Sequence, residues 1–348
     1  MKFFKLMIFI LVIFSKTGNV LSENRLFDVN NIKIVNTPSK NINNLTSQAM
    51  KKGFSVLIER ILLKEDKKRL DDLNLSDIEE LVAYYQTFDE VDDLNKSIKV
   101  FNIFFDKDKI HNLFYKRNIL YSNLIKSEFY LLPIFKKDEE LNIYAKNFFY
   151  DRWNKIPFES EIVDFILPIE NIEIIQKLNK SKGNLEDLNL VNLFNEYSNK
   201  NLGIVLITEN NSKIKKVFLK TNILGKKINK SLEIKNYKLE KSELHDKIII
   251  DIKNELVNIV KSQNLIDIRT PSFLNAKFKI NKKNSLVELK KRVEQIDLVE
   301  KIFIQEFNNE FVILKIKFLG KVNNIINELK KEKINLRLNG EQWSLNII

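Results

Sequence analysis

The chain holds two histidines, His111 and His245, and no cysteine, so the residues for nucleophilic, metal or redox chemistry are few. A zinc site needs clustered Cys or His ligands. These two histidines fall on two separate predicted helices, as helix-surface or half-buried residues that need no ligand role. Spacing alone leaves Ser–His chemistry open, because triads assemble across a fold, but there is no Gly-x-Ser-x-Gly elbow. A phosphate cradle needs glycines close together, so that backbone N–H groups can reach the anion. Beyond residue 22 the glycines are Gly53, Gly183, Gly203, Gly225, Gly320 and Gly340, no two of them neighbours. Both the P-loop and the dinucleotide fingerprint are excluded.

Carboxylates are the only abundant acid–base groups. Asp89-Glu90-Val91-Asp92-Asp93 is the densest acidic run. It lacks the glycine and alternating spacing of a calcium loop and reads as a solvated hairpin. Sugar hydrolysis by paired carboxylates needs a cleft with stacking aromatics. The phenylalanines here recur at periodic apolar positions and read as core. No catalytic, cofactor-binding or metal-binding residue is therefore assigned, and no cofactor is expected.

One apolar pattern points to binding. In the strand predicted at Ser97–Phe105, Val100 and Phe104 fall on one side and Phe101, Ile103 and Phe105 on the other. Near the C-terminus, Ile302 and Ile304 oppose Phe303 and Phe307. Strands apolar on both faces are covered on both faces. Phe101, Ile103, Phe105, Phe303 and Phe307 thus form a candidate partner-binding sheet face, the alternative being packing within the chain.

The elements that must carry these residues follow from periodicity and punctuation. Lys2 and Lys5 precede the unbroken apolar run Leu6–Phe14, which is too short to span ~30 Å of hydrocarbon. Val20-Leu21-Ser22 then suits a signal peptidase, so residues 1–22 read as a signal peptide cleaved between Ser22 and Glu23. The alternative is an uncleaved N-terminal anchor in the inner membrane. No later segment is apolar and long enough to be transmembrane. An exported chain without cysteine has no disulfide to form and is held by its core alone.

Residues 23–135 read as an N-terminal α+β module. A strand over Leu26–Asn36 precedes a helix with Leu45, Ala49, Gly53, Leu57 and Ile61 on one stripe. A short capped helix, two strands, a helix opened by Asp106 and a last strand at Phe129–Phe135 follow, with Pro133 placing that strand near an edge. Residues 136–183 read as a connector. Residues 184–270 read as a middle module of order αβββα, with a helix to about Tyr197 and a long one carrying Leu244, Ile248, Ile252, Leu256 and Val260. Residues 271–348 read as βαββαβ, a ferredoxin-like unit whose last strand is Ile334–Ile348. The N-terminal module has the same order if its short helix counts as an insertion. The fold class is therefore α+β, built of several small modules.

The charge is basic, 58 Lys+Arg against 46 Asp+Glu, or +12. Losing residues 1–22 removes Lys2, Lys5 and Lys16 and no acidic residue, which leaves +9. Lys, Ile and Asn all have A/T-rich codons, and Lys is spread through every segment while Arg is scarce. The charge reads as codon bias, and no nucleic-acid partner is expected.

The order of features resembles the exported proteobacterial proteins grouped as domain-of-unknown-function family 2066. The resemblance rests on the helix Gln48–Leu63 with its Leu57-Ile58-Glu59-Arg60-Ile61 end, Phe104-Phe105-Asp106 opening a helix, Leu131-Leu132-Pro133 and Trp153. It continues through Ile166-Leu167-Pro168, Tyr197 before a strand and the terminal Trp343 segment. After the second of those prolines this chain has Ile169-Glu170 where relatives tend to have Gly or Asp. The resemblance implies export to the periplasm and carries over neither an activity nor a catalytic residue. The expectation is an exported, non-enzymatic envelope accessory protein with an envelope protein partner. The alternatives are a carboxylate-based periplasmic hydrolase, or a basic module binding anionic lipid or polymer.

Overall fold

The computed structural model describes residues 26–35, 41–91, 97–124, 126–138, 140–158, 162–198, 200–210, 213–234, 240–280 and 285–348. The expected signal peptide and its cleavage point lie outside the described residues. The architecture is α+β with several small sheets. No described helix is long and apolar enough to cross a membrane.

The first sheet contains β1 (Asp28–Val35), β2 (Val82–Val91) and β3 (Ser97–Phe105) in the order β1-β3-β2, all antiparallel. Between β1 and β2 run α1 (Ile42–Ile61), the single turn α2 (Lys64–Lys67) and α3 (Leu75–Glu80). Asn74 and Asp77 form a capping box at the start of α3. The predicted stripe of α1 is buried as read, with Leu45, Ala49, Leu57 and Ile61 at 1% exposure or less. Gly53 on that stripe has no Cβ because Ile103 of β3 fills the space; a Cβ there would lie 2.6 Å from Ile103 Cδ1. After β3, Asp106 caps α4 (Lys107–Arg117) by accepting from the Asp108 and Lys109 amides.

The strand expected to close this unit does not do so. After β4 (Tyr121–Ser122), β5 (Ser127–Lys137) pairs in parallel with β8 (Asn201–Asn210). Phe129, Leu131, Leu132 and Ile134 are all fully buried, and such a strand needs cover on both faces, which the first sheet does not offer. Pro133 still has a local edge. On the side away from β8, β7 (Val163–Ile166) pairs with Ser127–Tyr130 and β6 (Glu140–Asn142) with Phe135–Lys137, leaving Pro133 in the gap. Its carbonyl accepts from Asn147 Nδ2 at 2.9 Å.

The residues read as a connector therefore belong to the central sheet. They supply β6, α5 (Phe148–Arg152), β7 and α6 (Ile172–Lys180). The expected helix after Asn184 is two 3-10 turns flanking α7 (Leu190–Leu193). The central sheet runs β10-β9-β8-β5-β6, with β9 at Lys213–Ile223 and β10 at Lys226–Leu232. One face packs under α8 (Lys241–Gln263) and α5, burying Trp153, Phe149, Val205, Ile249 and Leu256. The other packs under α6 and α7, burying Ile174, Leu178, Leu193 and Phe194.

The last unit has β12 (Ser272–Lys279), α9 (Ser285–Glu294), β13 (Val299–Phe307), β14 (Phe311–Phe318), α10 (Val322–Lys331), β15 (Ile334–Asn339) and β16 (Gln342–Ile347). Before it, β11 (Leu265–Ile266) pairs with β4. The sheet order β13-β14-β12 is that of a ferredoxin-like unit. Its expected final strand is instead a hairpin, turned at Gly340 with φ +63, and β16 lies parallel to β12 with β15 outside it. The first and last units share one hydrophobic core, in which Phe27, Ile110 and Tyr121 join Leu298, Phe318 and Leu345.

Candidate binding surface

Three clusters of polar or titratable groups are buried, and each holds elements together. His111 sits between the Tyr121 hydroxyl, 3.1 Å from Nε2, and Glu300 Oε1, 3.4 Å from Nδ1. The His111 bond holds the Glu300 carboxyl below its ordinary pKa, with Lys107 and Lys317 adding to it against burial. Burial pushes the Tyr121 hydroxyl well up, so it is no nucleophile. Lys107 Nζ donates to the Val299 carbonyl at 3.0 Å. This cluster joins the first unit to the start of β13.

The second cluster lies on α8. Lys261 Nζ donates to the Glu59 and Leu62 carbonyls at the C-terminal end of α1, where a cation also meets the negative end of the helix dipole. Burial lowers its pKa to about 8. Lys253 Nζ donates to the Trp153 carbonyl at 2.6 Å, over the Trp153 and Phe158 rings. In the third, Glu209 is 1% exposed, with Oε1 3.4 Å from Lys241 Nζ and Oε2 without a partner among the described residues. His245 packs edge-on to Phe148 at 5.0 Å, and burial lowers its pKa. Sequence reasoning placed both histidines as half-buried or surface residues; they are 8% and 7% exposed.

An open cleft of about 280 Å³ between α9 and β13 is lined by Lys290, Glu294, Val299, Glu300, Lys301 and Ile302. Glu300 is held by His111 and Lys317, and Glu294 lies 3.6 Å from Lys290 Nζ. Its two carboxylates are thus occupied as ion-pair partners. In the acidic run, Asp89 pairs with Lys99 and Glu90 with Lys33, each at 2.8 Å, while Asp92 and Asp93 lie outside the described residues. No group of three His, Asp or Glu able to hold a metal occurs among the described residues.

The five residues of the candidate sheet face separate. Phe101, Ile103 and Phe105 are 0%, 0% and 4% exposed beneath α1, with Phe105 against Phe54. They are core, because α1 supplies the cover that their strand needed. Phe303 is 39% exposed on the open face of the last sheet. Phe307 is exposed but pairs with Val312, a buried residue on the helix side. The bulge between Ile304 and Glu306 adds one residue and so reverses the facing of those that follow. The period-2 reading through Phe307 fails at that bulge.

What the last sheet presents is different in kind. Along β14 the side chains alternate, with Val312, Leu314, Ile316 and Phe318 buried under α9 and α10 and Phe311, Ile313, Lys315 and Lys317 on the other face. The register brings Phe273, Lys277 and Lys279 of β12, Lys301, Phe303 and one carboxylate, Glu306, of β13, and Arg337 of β15 onto that same open face. Lys277 Nζ lies 3.8 Å from the Phe311 ring centroid, Lys315 Nζ 4.6 Å from Phe273 and Lys301 Nζ 5.3 Å from Phe303. The first two contacts are cross-strand diagonals, within reach of long side chains and rings. Lys317 is 3.5 Å from Glu300. Among the described residues Lys277, Lys279, Lys301, Lys315 and Arg337 have no carboxylate within ion-pair distance. Elsewhere many lysines are paired, as Lys200 is with Glu128, Lys216 with Glu186 and Lys230 with Glu255. The alternation of Phe and Lys in Phe311–Phe318 and Ser272–Lys279 was the available signal for this face.

Comparison with protein-family models, curated proteins and solved structures found no match.

Proposed function

We propose that this chain is an exported, non-enzymatic accessory protein of the cell envelope, acting in the periplasm by binding. Its contact surface is the open face of the last sheet, and what it contacts there is anionic. One observation carries this reading: Lys277, Lys279, Lys301, Lys315 and Arg337 share an open face and have no carboxylate within ion-pair distance among the described residues. The N-terminal pattern of Lys2, Lys5 and the apolar run Leu6–Phe14, together with the resemblance to family 2066, supports export. The burial of Phe101, Ile103 and Phe105 moves the expected contact from an apolar protein surface to an anionic one.

Two variants of equal net charge test the surface. K277E/K315E reverses two lysines of the face; K226E/K227E reverses two exposed lysines of β10. On a cation-exchange resin at neutral pH, K277E/K315E elutes at clearly lower salt than K226E/K227E. Equal elution of the two would sink the assignment of the face. For export, the chain recovered from the periplasm of an expressing bacterium has the mass of a protein starting at Glu23; an intact N-terminus there would favour the anchored form.

A further inference from the structure

Resting on the reading that this face is the contact surface, we infer that its ligand is the surface of an anionic phospholipid bilayer. The first reason is shape. Five strands spaced 4.7–4.9 Å make an open platform roughly 20 Å across. An array of cations spread over it is complementary to the phosphate array of a lipid surface.

The second reason is the mixture of groups on the face. The ammonium groups of Lys277, Lys315 and Lys301 lie over the rings of Phe311, Phe273 and Phe303, and Phe273 and Phe303 remain exposed. Cations and aromatic rings side by side suit the boundary where lipid phosphates meet the acyl chains. A single-stranded nucleic acid stacks its bases on free aromatic faces, and these rings carry an ammonium group instead.

The experiment is co-sedimentation of the full-length chain with phosphatidylcholine vesicles, with and without phosphatidylglycerol, between ~0.1 and ~0.5 M salt. The neutral vesicles report whatever the apolar N-terminal segment contributes alone. The expected result is stronger binding to the anionic vesicles that fades with salt. K277E/K315E then weakens it by about tenfold or more, as roughly fivefold per lysine at an anionic surface implies, and K226E/K227E leaves it within about twofold. Thermal melts of both variants check the fold. Equal binding to neutral and anionic vesicles, or equal loss in the two variants, overturns the proposal. If the resin still separates the variants while the vesicles do not, the lipid assignment fails and the contact face stands. If neither separates them, both fall.

Discussion

Lys261 is a charged group in a nearly dry place, 3% exposed at the joint between α8 and α1. Its pKa falls from 10.5 to about 8 on folding. Between those values the unfolded chain binds more protons than the folded one, so stability rises with pH. The penalty for keeping the ammonium buried is fully present below pH 8 and is relieved above it. Urea titrations between about pH 8 and pH 10 should show a rise of up to about 3 kcal/mol, and K261M should abolish the rise. Glu300 has the opposite sign. Its carboxyl is held below the ordinary range, chiefly by His111, so its contribution is present at neutral pH and is lost as pH falls through its folded pKa. E300Q should therefore cost about 1–2 kcal/mol at pH 7 and little in strong acid. A constant cost at all pH values would remove His111–Glu300 from the account. Neither role was legible in sequence, because burial and partner are set by residues distant in the chain.

At the scale of elements, periodicity served well where one face of a helix or strand decides the outcome. The stripe of α1, the long helix α8 and the β12–α9–β13–β14–α10 run form as their patterns indicate. Where it failed, three cases have a local reason. β5 is apolar on both faces and so joined the sheet with two helical covers. The β13 bulge reversed Phe307. Asn339-Gly340, a hairpin signal in the sequence, divided the expected last strand in two. Glycine tests the packing of β8: a Cβ on Gly203 would lie 2.7 Å from Phe129 Cε1 and 2.9 Å from Leu131 Cδ1. G203A should lower stability by about 1–3 kcal/mol through overpacking. A melt unchanged within a few tenths would show that β5 and β8 are looser than this.

At the scale of the molecule, the first and last units behave as one body. Their side chains form a single core, and Lys107, His111 and Tyr121 bind the start of β13 from the other unit. Deleting residues 271–348 strips cover from Phe27, Ile110 and Tyr121. The truncated chain should bind a hydrophobic dye and be cut rapidly by protease in residues 26–124. A truncated chain with native protection there would show that the first unit folds alone. Y121F should cost about 1–3 kcal/mol by leaving the buried His111 Nε2 without its partner. The loss should appear in a single melting transition covering both units.

By itself the sequence determined what depends on residue type and short spacing. It set the α+β class, the long helices and many of the strands, the absence of nucleotide-phosphate motifs, and the N-terminal run that points to export. It could not tell which lysines share a face, because charge in a list has no direction. Tertiary structure decided that. The two-residue period of β12, β13 and β14 sends lysines from three separate segments to one side while their apolar neighbours bury on the other. The same packing took Phe101, Ile103 and Phe105 out of solvent beneath α1. A surface is made by strands brought together, so its charge becomes visible only once the register of the sheet is known.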